Sequence, residues 1–431
     1  MIRVGTSGGR LAIAALCLAA LVLSGPVLSG PAAAQRGGAS KFTPAVATAP
    51  AVRDALAWVD AHFADQVAEW IRLTQIPGPS RHEQRRALHV RTQLEALGLT
   101  IQSDSLGNTW TVIAGSGRGP RVVFAAHMDT VHPDGTDLTV RWQDSTLHVP
   151  GVFDNTASVA NFLAMARAWR AAGVRTRGDI VLLFTVQEEL GLLGMEYWLE
   201  RNPADLLVAV DGELGPVRYG ALGIYQSRMV FSGPGSHTNT SRGKPHPARA
   251  AARCILDIGD IPLPPADSAV TAVANVGMVR GGTVVNATPE EVSFTVDLRS
   301  VDPVLLERLD SVLVRTCGAA AGAERVAFRR EVIQREAAGG TPEQLAPRLA
   351  HPLVQTALAV HRHLGLDTRA LATGSTDANV GVRRGMPSIS VGRSFGGDQH
   401  TLREWADVPS ARLGTRQLIL LAAALAELDG R

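Results

Sequence analysis

Lysine is almost absent from this chain of 431 residues: of 42 Lys and Arg residues only Lys41 and Lys244 are lysine, a bias from which no function is read. Charge of one sign is also lacking. The 40 acidic residues leave a formal net charge of +2, so no basic stripe exists and nucleic acid is excluded as the expected partner. Cysteine is scarce too, at three residues. They make no metal site. Cys17 lies in an N-terminal apolar run, which leaves Cys254 and Cys317 able to form one disulfide, although spacing alone does not establish it. That apolar run, Leu11 to Leu23, is too short to span a bilayer comfortably. It follows Arg3 and Arg10 and precedes small residues ending Ala32-Ala-Ala34-Gln35, the pattern of an export signal cleaved near Ala34. The alternative is an N-terminal membrane anchor. Repeats at solenoid spacing are absent. What remains is 45% apolar, ordinary for a soluble globular protein, and long enough for two domains.

Residues 1–34 are therefore expected to be a signal peptide and 35–50, rich in Ala, Gly, Pro and Ser, a flexible linker. From Val52 to Ile76 apolar residues recur at helical spacing until Pro77-Gly78-Pro79. Ser80 and Glu83 have capping-box spacing for a second helix ending at Gly98. Short strands are expected at Leu99–Ser103 and Thr109–Ala114, then at Arg121–Ala126. A helix from Asp154 to Ala172 precedes the continuous apolar run Asp179–Val186, and Leu206–Val210 is a further strand. This alternation describes a mainly parallel sheet flanked by helices, an α/β fold. The pattern changes near Tyr219. Residues 221–332 read as an α+β insertion of four strands and two helices between two parts of one catalytic domain, 51–220 and 333–431.

The chemistry gathers where the apolar runs stop. Phe124-Ala-Ala-His-Met-Asp-Thr-Val131 ends a strand in His127-x-Asp129, which alone is compatible with a surface loop. Further runs end in Asp154 of Gly151-Val-Phe-Asp-Asn155, in Glu188-Glu189 and in Asp211, and His400 lies in the glycine-rich stretch Gly396 to Glu404. Open α/β sheets hold their sites at such carboxyl ends. Nitrogen and oxygen donors without thiolate suit zinc, with cobalt or manganese as substitutes. Two histidines and several carboxylates exceed the needs of one zinc and fit a pair of metals bridged by a carboxylate.

In this order the motifs resemble the co-catalytic zinc exopeptidases, the family of peptidase T, the dinuclear dipeptidases, glutamate carboxypeptidase and aminoacylase. The resemblance runs from about Val52 to the C-terminus. It implies that His127 and Asp211 hold one zinc, Glu189 and His400 a second, and that Asp154 bridges them. It also implies that Asp129 accepts the other ring N–H of His127, and that Glu188 is the general base for a water between the two zinc ions. The peptide after the bridging aspartate is cis in this family, here Asp154–Asn155; many members carry a second aspartate where this chain has Asn155. Phe231-Ser-Gly-Pro-Gly-Ser-His237 resembles the lid segment whose histidine reaches the reacting carbonyl, often from the partner of a dimer; alternatively His237 only caps a loop. Asn286 and Arg299 match substrate contacts, with a structural ion pair as the other role for Arg299, and Gly374-Ser375 resembles the loop lining the substrate pocket. The implied partners are a short peptide and a second copy bound through the insertion, a lid and dimerisation domain, with no membrane once the signal is removed.

Asp211 in place of glutamate resembles the peptidase T and dipeptidase branch, which implies an exopeptidase acting on the terminal bond of short peptides as an aminopeptidase or di/tripeptidase. An amidohydrolase acting on N-acyl amino acids is the alternative. A non-catalytic binding protein of the same fold is a third reading, opposed by the presence of every ligand and of the base.

Overall fold

Period-two burial explains how the main sheet acquires two cores. Val122–His127 is buried throughout, and its side chains alternate: Phe124 and Ala126 join one apolar cluster, Val123 and Ala125 another. Ile180–Thr185 does the same, with Leu182 and Phe184 on one face and Val181 and Leu183 on the other. Each large side chain removed from water in this way contributes about 1.5–3 kcal/mol. The computed structural model describes residues 38–430, apart from 266, 267 and 269. The expected signal peptide, 1–34, lies outside the described residues.

Among the described residues the main sheet has eight strands, in the order Ile101–Ser103, Thr109–Ile113, Ile180–Thr185, Val122–His127, Leu206–Val210, Ser388–Val391, Pro216–Arg218 and Arg369–Leu371. The four central strands run parallel. Antiparallel pairings occur towards the edges, where Thr109–Ile113 meets Ile180–Thr185 and Pro216–Arg218 meets Ser388–Val391. Helices Ala157–Ala171 and Val408–Leu425 are apolar almost all round and are buried against one face. Trp110 and Trp198 meet edge to face on the other, 6.0 Å apart.

Three local expectations change. The linker expected at 35–50 is docked from residue 38 onwards: Pro44–Thr48 is helical, Phe42 is buried, and Lys41 pairs with Glu427 at 2.8 Å. One aromatic side chain with a pocket to fill outweighs a composition typical of tethers. The helix expected from Val52 to Ile76 is two, Pro50–Ala61 and Phe63–Thr74, broken at His62, whose ring stacks on Trp58 at 4.1 Å. Ser80 and Glu83 make no capping box, because Gln84–Glu95 has no side-chain cap. Both are used elsewhere, as described below.

The inserted segment forms its own antiparallel sheet, in the order Ala272–Gly281, Glu291–Ser300, Gly223–Ser232 and Ala327–Glu336. Helices Pro247–Gly259 and Pro303–Glu324 pack on one face around Phe231, Phe294 and Leu298. Cys254 and Cys317, whose pairing the spacing left open, form a disulfide between these helices. A short sheet that includes Arg141–Gln143, Thr146–His148 and Trp405–Asp407 was not expected from the sequence.

Candidate metal centre

Because Ile180–Thr185, Val122–His127 and Leu206–Val210 are neighbours in register, their carboxyl ends lie side by side and deliver Glu188 and Glu189, His127, and Asp211 to one place. Gln187 adopts φ 54°, which turns the two glutamates out of the strand direction. Asp154 enters from an irregular turn, Val152–Thr156, ahead of helix Ala157–Ala171, and the Asp154–Asn155 peptide is cis. His400 completes the cluster from the loop after Ser388–Val391.

The two oxygens of Asp154 face different imidazoles. His127 Nε2 lies 3.1 Å from Asp154 Oδ1 and 3.8 Å from Asp211 Oδ2. His400 Nε2 lies 3.3 Å from Asp154 Oδ2 and 3.2 Å from Glu189 Oε1. Two metal-sized groups result, His127–Asp154–Asp211 and Asp154–Glu189–His400; His127, Glu188 and Glu189 form a third convergence. Glu189 Oε1 is buried and makes no well-angled hydrogen bond with the nearby imidazole, as expected of two donors aimed at a common point. Nitrogen and carboxylate donors so disposed fit a pair of divalent ions.

The electrostatics agree. The carboxylates of Asp154 and Glu189, 3.3 and 3.2 Å from its Nε2, hold His400 up at about 10. Burial works against a charged His127, yet Glu188, Asp129 and Asp154 outweigh it and raise it well above the usual imidazole range. Burial, reinforced by Asp211 and Glu189, pushes the Glu188 carboxyl well up. The cluster draws positive charge to itself.

The model of peptidase family M20/M25/M40 matches residues 123–424, well over half of the chain. The chain belongs to this family. The same family includes a dinuclear metal-binding peptidase of Bacillus subtilis. A peptidase M20 domain-containing protein of Schizosaccharomyces pombe is 26% identical over 227 residues, 50% of this chain and 55% of the relative, so the chain spans about half of that protein's length. Carboxypeptidase G2 of a Pseudomonas species is 23% identical over 352 residues, 78% of this chain and 80% of that one. The crystal structure of aminopeptidase PepT from Bacillus cereus superposes with a TM-score of 0.70 at 21% identity, covering 85% of this chain and 99% of that one, which shows the shared fold.

In this M20 chain the candidate ligands are braced by Asp129 and by residues outside the metal-binding motifs, Ser80, Glu83 and Arg393 among them. Asp129 was expected to accept from His127; the nearer partner of His127 Nδ1 is the Asp129 backbone carbonyl, at 3.1 Å, with the carboxylate at 3.5 Å. The carboxylate of Asp129 instead accepts Glu188 N–H at 3.1 Å, Glu189 N–H at 3.2 Å and the Ser80 hydroxyl at 2.7 Å. Glu83 accepts Gln187 N–H at 3.0 Å. The capping-box pair thus supports the turn that carries both glutamates. Glu404, fully buried, accepts the N–H groups of Gly151, Phe153 and Asp154 at 2.7–2.9 Å and fixes the Asp154 turn. Arg393 lies beneath Asp154 and Asp211. Asp377, pushed up to about 7 by burial against the opposing hydrogen bond from Thr185, sits beside the same cluster.

Above the cluster is a cavity of about 710 Å³ whose lining includes Arg299, Ser375, Arg218 and Glu336. Gly374 stands behind it, its carbonyl accepting Leu222 N–H at 2.6 Å. His237 and Asn286 are elsewhere: both are exposed on the insertion, joined through Thr238 N–H to Asn286 O at 3.0 Å, and neither lines the cavity. Arg299 holds Asp297 at 2.8 Å while still facing the cavity, so both roles expected for it are compatible. Asp129→Asn should retain the fold but lose about 10–100-fold in metal affinity or turnover. Metal titration beside steady-state rates checks this; wild-type values in both would contradict the bracing role.

Proposed function

We propose that the protein is an exopeptidase that hydrolyses the terminal peptide bond of short peptides, as an aminopeptidase or di/tripeptidase, using two zinc ions per chain. The observation that carries this reading is the division of the Asp154 oxygens between His127 and His400, each with a second carboxylate, below a cavity of a size that suits a small ligand. His127 and Asp211 would hold one ion, Glu189 and His400 the other, and Asp154 both, with cobalt or manganese as possible substitutes. When bound, the ions supply Lewis acidity to the scissile carbonyl and to the attacking water.

Glu188 is the group left to move protons. Its neighbour Glu189 faces His400, while Glu188 is buried, lines the cavity and has a carboxyl raised by burial. It takes a proton from the water and returns it to the departing amine. Arg299 offers its remaining N–H groups to the carboxylate end of the peptide. Aspartate at the terminal ligand position supports the aminopeptidase and dipeptidase reading through its resemblance to that branch.

One observation favours the alternative, a deacylase of N-acyl amino acids. Glu336, the one cavity carboxylate outside the cluster among the described residues, is tied to Arg383 at 3.2 Å and is therefore not free to bind an α-ammonium group. A panel of di-, tri- and N-blocked peptides separates the two readings. Cleavage should stop on chelation and return with zinc or cobalt, and Glu188→Ala should keep its metal while losing at least about 100-fold in turnover. Full activity without metal, or wild-type rates in that variant, would sink the mechanism.

The partner reading is a homodimer through the insertion. Its edge strand Ala272–Gly281 exposes Val273, Met278 and Val279, next to exposed Val284 and Val285, which suits burial against a second copy. His237 and Asn286, remote from their own cavity, would then serve the partner's. Export through the N-terminal signal is supported by the Cys254–Cys317 disulfide, which suits an oxidising compartment. Co-expressed His237→Ala and Glu188→Ala chains, each inactive alone, should recover about half of wild-type activity in purified mixed C2 dimers, or about a quarter in the randomly paired population. No recovery in demonstrated mixed dimers would place the action of His237 within its own chain.

A further inference from the structure

A permanent cation is built into one side of the metal cluster. Arg393 follows strand Ser388–Val391 and its side chain is fully buried. Its Nη1 donates to Asp211 Oδ1, its Nη2 lies 3.2 Å from Asp154 Oδ1, and its guanidinium covers the Phe153 ring at 4.1 Å. The backbone is held on both sides, the N–H by Gly212 O at 3.1 Å and the carbonyl by the Asn161 side chain at 3.0 Å. A Cβ on Gly414 would come within 2.0 Å of the Arg393 carbonyl, so the packing of the last helix also depends on this position. Arg393 has little freedom to leave.

The charge falls unevenly on the two metal-sized groups. Asp211 and Asp154 Oδ1, both in contact with Arg393, face His127; Asp154 Oδ2 and Glu189 face His400 and have no arginine in contact. Arg218 reinforces the bias, because it lies beside Gly212 and feels the Asp211 charge. Glu188 approaches His127 and Glu189 alike and does not offset it. With Asp211 Oδ1 engaged by the guanidinium, only Oδ2 is offered towards His127.

We propose that Arg393 is a positioning residue that makes the two half-sites unequal: Asp154–Glu189–His400 takes a divalent ion first, and His127–Asp154–Asp211 takes the second more weakly. This rests on the two-metal reading above. A fixed positive charge one carboxylate away repels a second cation in a medium of low dielectric, and the stepwise dissociation constants should differ by about tenfold or more.

Calorimetric titration of the metal-free full chain with zinc, alongside native mass spectrometry of the one- and two-metal species, tests this. Wild type should bind two equivalents in separated steps. Arg393→Gln, which keeps an amide donor for Asp211 but removes the charge, should narrow the separation by about tenfold, whereas Arg393→Lys, which keeps the charge, should preserve it. Should Arg393→Gln fail to fold, Arg393→Met is the second neutral variant and retains contact with Phe153. Two equal steps in wild type, or a separation unchanged or widened in the neutral variant, would overturn the inference and leave the two-metal reading standing. Binding of a single equivalent at saturation would overturn both.

Discussion

One largely enclosed carboxylate, Asp154, divides its two oxygens between imidazoles that arrive from distant parts of the chain. His127 comes with a central strand and His400 with a late loop, 273 positions apart by number, and only the folded sheet brings both to within 3.3 Å of the same side chain. The position of Asp154 is fixed with corresponding redundancy. Glu404 takes the turn amides of Gly151, Phe153 and Asp154, Arg393 lies beneath, and the following helix is locked in the apolar core. An acid in so dry a place is tolerated because cations surround it: burial alone would raise the Asp154 carboxyl, but Arg393, His127 and His400 hold it well below the usual range.

The parts differ in how they could be read from the residues. Strands such as Ile180–Thr185 were legible because a strand covered on both faces must be apolar without interruption. The acids and imidazoles that end those runs were legible for the complementary reason, since a charge at the end of an apolar run needs a purpose. Arg393 was not. Arginine is common in this chain, and nothing local distinguishes a guanidinium turned into the core from one in solvent. Ser80 and Glu83 were misread because capping-box spacing is a local signal, and a distant partner, Asp129, competed successfully for the same hydroxyl. The docking of residues 38–50 is not legible because composition averages over Phe42, whose burial anchors the segment.

The insertion follows a different physical logic. Its sheet buries one face against two helices stapled by Cys254–Cys317 and leaves the edge strand and the His237–Asn286 corner exposed. The other end of the same sheet contributes Ile224, Gln226, Arg299, Gln334 and Glu336 to the cavity. One sheet therefore shapes the space above the metal cluster and also presents an unpaired edge, Ala272–Gly281. Substrate contacts of this kind are hard to read from spacing, because what matters is which end of a strand lies over the cluster.

The central claim is that Asp154 bridges two ions while Glu188 remains unligated. It is tested most directly by a crystal structure of the zinc-loaded protein with anomalous data collected at the zinc edge. Two peaks are expected, one against His127 and Asp211 and one against Glu189 and His400, with Asp154 touching both and Glu188 touching neither. A single peak at full zinc saturation, or two peaks bridged by Glu188 in place of Asp154, would contradict the account.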